Sequence, residues 1–176
     1  MTISLNEYQN EAMRTAIYPE DRGLEYTTLG LLSEVGELNG AWLGGTATDI
    51  LSELGDNYWY VAAIAHSLGE QLENVLVFAN IDESVDFRPL DELFQLLTYY
   101  SGEIAGVVKK SIRDNDGQLT PEKYDKVIDL LANVLHVLDT LTLHFDGTPA
   151  GVQAKNLDKL ADRQRRNVLG GSGDHR

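Results

Sequence analysis

The sequence contains no cysteine. Disulfides, thiolate catalysis and a Cys-ligated metal are therefore excluded, and the absence suits a reducing compartment. Basic residues are scarce: 14 Lys and Arg stand against 28 Asp and Glu, a net charge of -14. That balance argues against nucleic acid as a partner, because backbone phosphates are held mainly by Lys and Arg. The scarcity is also uneven. Residues 1–87 hold 2 basic side chains, Arg14 and Arg22, among 15 acidic ones, whereas residues 88–176 hold 12 among 13. Most of these carboxylates read as solvated surface. The opening Met1–Arg14 lacks the basic-then-apolar order of a secretion signal, and the longest apolar stretch, Tyr58–Ala65, is too short to cross a bilayer. No membrane association is expected, and the expected location is cytoplasmic. Runs of β-branched alternation are missing as well, so the expected fold class is all-α.

What the chain does contain is a series of helix signals. Ser4-Leu5-Asn6-Glu7 has the form of a capping box and opens a helix expected over Leu5–Ile17. A second helix is expected over Glu25–Leu43, ended by Gly44-Gly45, and a third from a cap at Thr46 or Thr48 to Leu68, closed by Gly69. A short helix over Gln71–Phe78 precedes residues Asn80–Pro89, which read as a linker. Leu90–Arg113 is the next helix, and Asp114-Asn115-Asp116-Gly117 a turn. Thr120-Pro121 and Thr148-Pro149 each place a hydroxyl at the cap and proline at the first helical position, opening helices that end near Phe145 and Asn167. A Gly-rich flexible tail is expected over 170–176.

Within this frame, Glu34 and Glu37 lie three residues apart on the second helix, and Glu53 and Asp56 repeat the spacing on the third. The spacing puts each pair on one helical face, about one turn apart. The face of Glu53 and Asp56 continues as Tyr60, Ala63 and Ile64, so these acids point at protein. Four carboxylates in a partly dry site repel one another unless a cation neutralises them. Oxygen-only ligation with no His or Cys nearby suits Mg²⁺, with Mn²⁺ as a substitute, better than zinc, and leaves coordination positions for waters and phosphates. A di-iron bundle would need Glu-x-x-His, and none of His66, His136, His144 or His175 has Glu three positions before it. The alternative is that the pairs are ordinary acids on exposed helix faces.

The same residues resemble the MazG-like all-α nucleoside triphosphate pyrophosphohydrolases, which carry Glu-x-x-Glu on one helix and Glu-x-x-Asp on the next. Here these are Glu34-Val35-Gly36-Glu37 and Glu53-Leu54-Gly55-Asp56, followed by Tyr58-Trp59-Tyr60. Leu5-Asn6-Glu7-Tyr8-Gln9, Leu29-Gly30-Leu31 and the ending Asn156-Leu157-Asp158-Lys159-Leu160 with Arg163, then Gly171-Ser172-Gly173-Asp174 and Arg176, extend the likeness over nearly the whole chain. The resemblance implies a helical bundle and Mg²⁺-dependent cleavage between the α and β phosphates of a nucleoside triphosphate, releasing a monophosphate and pyrophosphate. It also implies that Glu34, Glu37, Glu53 and Asp56 bind the metal, with one of them orienting the attacking water.

The pattern occurs twice. Gly102-Glu103-Ile104-Ala105-Gly106-Val107-Val108-Lys109-Lys110 with Arg113 is similar to the stretch that follows the first acidic motif in relatives, and Leu130-Leu131-Ala132-Asn133 falls where the second motif belongs. In this second copy Tyr100, Leu130 and Asn133 stand at three ligand positions and only Glu103 remains, so it is expected to bind metal poorly. The first copy keeps the acids and lacks the basic residues, having Gly40-Ala41-Trp42-Leu43-Gly44-Gly45 where relatives place Lys and Arg. The expectation is a fused pseudo-dimer: a first repeat over 1–87, a second over 88–169, and one composite site. Lys109, Lys110 and Arg113, with Asn156, Lys159 and Arg163, are the candidates for holding substrate phosphates; ordinary surface cations are the alternative. Trp59, with Trp42 and Tyr58, is a candidate for stacking on a nucleobase, against core packing. The competing functional readings are a catalytically inactive protein that binds or sequesters nucleotides and a helical interaction protein. As to assembly, both a monomeric pseudo-dimer and a homodimer are open.

Overall fold

The computed structural model describes residues 3–170, Phe78 by its backbone alone. All but Gly170 of the expected tail lies outside the described residues. The described residues form an all-α bundle without a strand: α1 Leu5–Met13, α2 Gly23–Gly44, α3 Ala47–Ser67, α4 Leu72–Phe78, α5 Leu90–Asn115, α6 Pro121–His144 and α7 Pro149–Arg165, with short 3-10 helices over Glu20–Arg22 and Glu83–Phe87.

The caps lie where the hydroxyls predicted them. Ser4 and Glu7 close a reciprocal capping box on α1, and Thr46 with Asp49 does the same on α3. Thr120 and Thr148 cap α6 and α7, each followed by proline. Gly69, with φ +77°, ends the run of α3 in the left-handed region that favours glycine. Several ends differ from expectation for local reasons. α1 stops at Met13, short of Ile17. The Ala12 carbonyl, one of those a longer helix would draw on, accepts instead from the Thr15 hydroxyl at 2.7 Å and the Trp59 indole at 3.1 Å. α5 runs two residues beyond Arg113, and Asp116 (φ 51°) and Gly117 (φ +82°) then turn the chain.

α2 and α3 form an antiparallel hairpin. Asn57 lies beside Glu34, Tyr60 beside Gly30 and Ser67 beside Gly23. Tyr60 comes so close that a Cβ on Gly30 would lie 1.9 Å from its ring, which explains the glycine. α5 runs antiparallel to α2, with Trp42 stacked on Phe94 and Asn39 bonded to Thr98. α6 packs on α5 and α3, while α1 and α7 lie across α3. Leu31, Leu54, Ile64, Leu97, Ile104, Leu131 and Leu135 are fully buried in one core, so the segments 1–87 and 88–169 share it. α6 is long and apolar enough to cross a membrane, but most of it is buried inside the bundle, as in the core helix of a soluble protein.

The segment expected as a linker is strapped to α6. The amide of Asn80 and its side chain both donate to Asp129, the Asp82 amide donates to Asn133 Oδ1 at 2.7 Å, and Asn133 Nδ2 donates to the Asn80 carbonyl. Asp86 lies 3.2 Å from His136 Nε2.

Candidate metal centre

The α2–α3 hairpin sets the acids face to face. Because the helices are antiparallel, Glu34 and Glu37 on α2 meet Glu53 and Asp56 on α3. Glu34, Glu37 and Glu53 each bring a carboxylate oxygen within 4.8 Å of the others. Asn57, fully buried on the next position of α3, joins the hairpin beneath them by donating to the carbonyls of Glu34 and Glu53. Its Oδ1 has no hydrogen-bond partner among the described residues. Glu53 and Glu34 are half-buried, and Glu37 is exposed.

The electrostatics follow from this crowding. Burial pushes the Glu34 carboxyl up to about 8, and the neighbouring Asp56, Glu37 and Glu53 push in the same direction, while Lys159 opposes them. Tyr60, one turn beyond Asp56, is raised as well, first by burial and then by Tyr26 and Glu34. Three acids this close, with Asp56 beside them in a site with restricted access to water, carry a self-repulsion that a divalent cation relieves. The donor set, all oxygen, fits a hard cation of the Mg²⁺ kind.

α7 supplies the partners of the fourth acid. Asn156 Nδ2 donates to Asp56 Oδ1 at 2.8 Å, and Lys159 Nζ donates to Asp56 Oδ2 at 2.5 Å. Behind Asn156 the buried Tyr8 hydroxyl donates to its Oδ1 at 3.2 Å. Helices α3 and α7 approach closely enough for this because position 55 is glycine: a Cβ there would lie 3.1 Å from that of Asn156. Arg163, one turn beyond Lys159, is buried at 5% exposure.

The other expected site residues fall elsewhere. Among the described residues no hydrogen bond or ion pair joins Lys109, Lys110 or Arg113 to the four acids. All three are exposed, Arg113 pairs with its neighbour Asp114, and Lys110 lies in the field of Glu103 and Asp114. The indole N–H of Trp59 donates to Ala12 and Thr15, and its ring meets Tyr18 and Tyr60 edge-on, which ties α1 to α3. Tyr58 is core: its hydroxyl donates to the half-buried Asp139 at 2.6 Å. Trp42 stacks on Phe94.

At the second acidic position Glu103 is half-buried and paired with Lys126 at 2.8 Å, and Leu130 is buried. Tyr100 and Asn133 hold Asp82 of the strapped segment. Sequence reasoning assigned no role to Tyr8, Ser52, Tyr60 or Asn57. Tyr60 was legible on the face of Glu53 and Asp56; Tyr8, Ser52 and Asn57 become neighbours of the site through packing.

Fold and site together define an all-α protein with a carboxylate cluster between two antiparallel helices, buttressed by a third. The chain is 41% identical over 76 residues to the Gene 37 protein of Mycobacterium phage L5, a match covering 43% of this chain and 67% of that protein. It belongs to the same family as that phage protein, whose name states no activity. No protein-family profile and no solved structure matches the chain.

Proposed function

We propose that the chain is a Mg²⁺-dependent nucleoside triphosphate pyrophosphohydrolase of the cytoplasm, cleaving (d)NTP to (d)NMP and pyrophosphate. The observation that carries the reading is the convergence of Glu34, Glu37 and Glu53 within 4.8 Å beside Asp56, on two helices whose Glu-x-x-Glu and Glu-x-x-Asp spacing resembles the MazG-like pattern. A divalent cation bound there supplies charge neutralisation at the phosphoryl oxygens and lowers the pKa of an attacking water. Glu34, Glu53 and Asp56 are the half-buried ligands. Glu37, the exposed acid of the four, faces the solvent from which the water comes and orients it. Asn156 fixes the rotamer of Asp56, and Lys159, bonded to the same acid, is the candidate for holding the substrate's phosphates.

The fused pseudo-dimer finds support in the packing. The hairpins α2–α3 and α5–α6 meet with α2 against α5 and α3 against α6, as a two-fold arrangement of one unit requires. A composite site is supported as well, since the acids come from the first half and Asn156 and Lys159 from the second. All of these groups belong to one chain, which favours a monomeric catalytic unit.

The test is pyrophosphate release from a panel of NTPs and dNTPs with and without Mg²⁺. Release that needs Mg²⁺ and disappears in Glu53→Gln and Asp56→Asn is expected. Release that survives chelation or either substitution overturns the assignment, and tight nucleotide binding without turnover would establish the inactive nucleotide binder instead.

A further inference from the structure

We infer that Lys159 is a resident counter-ion of the metal site: its ammonium holds Asp56 while the acids carry no metal, and it passes to an adjoining anion pocket when a divalent cation takes them. This rests on the metal-dependent reading above. Both Asp56 oxygens are engaged by α7, Oδ1 by Asn156 at 2.8 Å and Oδ2 by Lys159 at 2.5 Å. The ion pair is shielded, with side chains 22% and 15% exposed, whereas the Arg165–Asp162 and Arg166–Asp162 pairs further along the helix are about half exposed or more. A shielded ammonium beside converging acids neutralises charge that solvent does not screen, unlike a surface pair.

A cation held by all four acids needs an Asp56 oxygen. A unit positive charge fixed within hydrogen-bond distance of that carboxylate repels the incoming cation, so each position weakens the other. Lys159 has somewhere to go. Its side chain lines a pocket of about 250 Å³ whose lining includes the apolar Leu51 and Val152 and whose polar groups come from Thr48, Ser52, Lys155 and Asn156, and Nζ already lies 3.3 Å from Ser52 Oγ. Two ammonium groups, two hydroxyls and an amide there suit a polyphosphate oxyanion. The flexible lysine stem carries the charge from acid to pocket while Asn156, anchored by Tyr8, keeps Asp56 in place.

The experiment is Mn²⁺ binding to the full chain without nucleotide, read by the electron paramagnetic resonance of free Mn²⁺. Wild type is compared with Lys159→Met and Lys159→Gln. Both variants are expected to bind about tenfold more tightly, since a repulsion between single and double positive charges ~5 Å apart in a water-like medium is removed. A second readout uses the wild-type protein, should the variants fail to fold: the ¹H–¹⁵N resonance of the Lys159 ammonium, protected by its pairing in chelator, is expected to exchange away on adding Mg²⁺. Unchanged or weaker Mn²⁺ binding in the folded variants, or a Lys159 resonance indifferent to bound Mg²⁺, overturns the inference and makes Lys159 a fixed structural partner. Absence of Mn²⁺ binding by the wild type would instead remove the metal-dependent reading, and this inference with it.

Discussion

Glu34→Gln is expected to stabilise the metal-free protein above neutral pH while abolishing its response to Mg²⁺. Burial first, then Asp56, Glu37 and Glu53, raise the Glu34 carboxyl from an ordinary 4.5 to about 8. A raised acid holds its proton in the folded chain and gives it up in the unfolded one. Its contribution to stability is therefore intact below about 4.5 and lost progressively as pH rises to about 8. Taken at face value the loss at pH 8 is about 5 kcal/mol, but Glu34 keeps partial contact with water, and screening reduces the figure to about 1–2 kcal/mol. Glutamine is neutral at every pH and nearly the same shape, so it escapes the loss. For a chain of this size the gain corresponds to about 3–6 °C in Tm at pH 8 in chelator, shrinking toward zero near pH 5. With Mg²⁺ at about a hundred times its Kd, the wild type gains about 2.7 kcal/mol and the variant gains nothing. Melting curves from pH 5 to pH 8.5, in chelator and in Mg²⁺, check both statements. A variant that melts below the wild type at pH 8 in chelator, or a gap that ignores pH, refutes the reasoning.

Other expectations follow from packing. Gly30→Ala drives a methyl into the Tyr60 ring, and a cost of about 1–3 kcal/mol should appear in denaturant unfolding. Tyr58→Phe strips the half-buried Asp139 of its hydroxyl partner, with an expected loss of about 1 kcal/mol by the same measurement. Lys109→Ala combined with Arg113→Ala should raise KM for nucleotide less than Lys159→Ala does, since of these three side chains it is Lys159 that bonds to Asp56 among the described residues; steady-state kinetics of the three chains decides it. Gly55→Ala pushes Asn156 away from α3 and should lower kcat with little change in Tm, in activity and melting assays.

The helix starts were legible because each cap is a short-range device. Ser4 with Glu7, Thr46, Thr120-Pro121 and Thr148-Pro149 announce themselves within four residues. The acids were legible for the same reason, since three-residue spacing fixes a common face. The end of α1 was not. It depends on an indole 47 residues away that takes up the Ala12 carbonyl. The strap over 80–86 was likewise hidden: charge and proline content describe its solvent affinity, while its place on α6 is set by Asp129 and Asn133. For the cationic run on α5, spacing shows which residues are neighbours on one helix, and only the bundle shows that none of Lys109, Lys110 and Arg113 bonds to the four acids among the described residues.

The buttress on Asp56 bears on how the protein is made. Asp56 meets Asn156 and Lys159 across separations of 100 and 103 residues. During synthesis the hairpin with all four acids leaves the ribosome long before its last support exists. A nascent chain therefore passes through an interval in which all four acids have been made but α7 has not, and a divalent cation meets no competing lysine. Metal capture at that stage would favour early hairpin closure, and the arrival of α7 would mark the last step of maturation. Distant contacts of this kind slow folding.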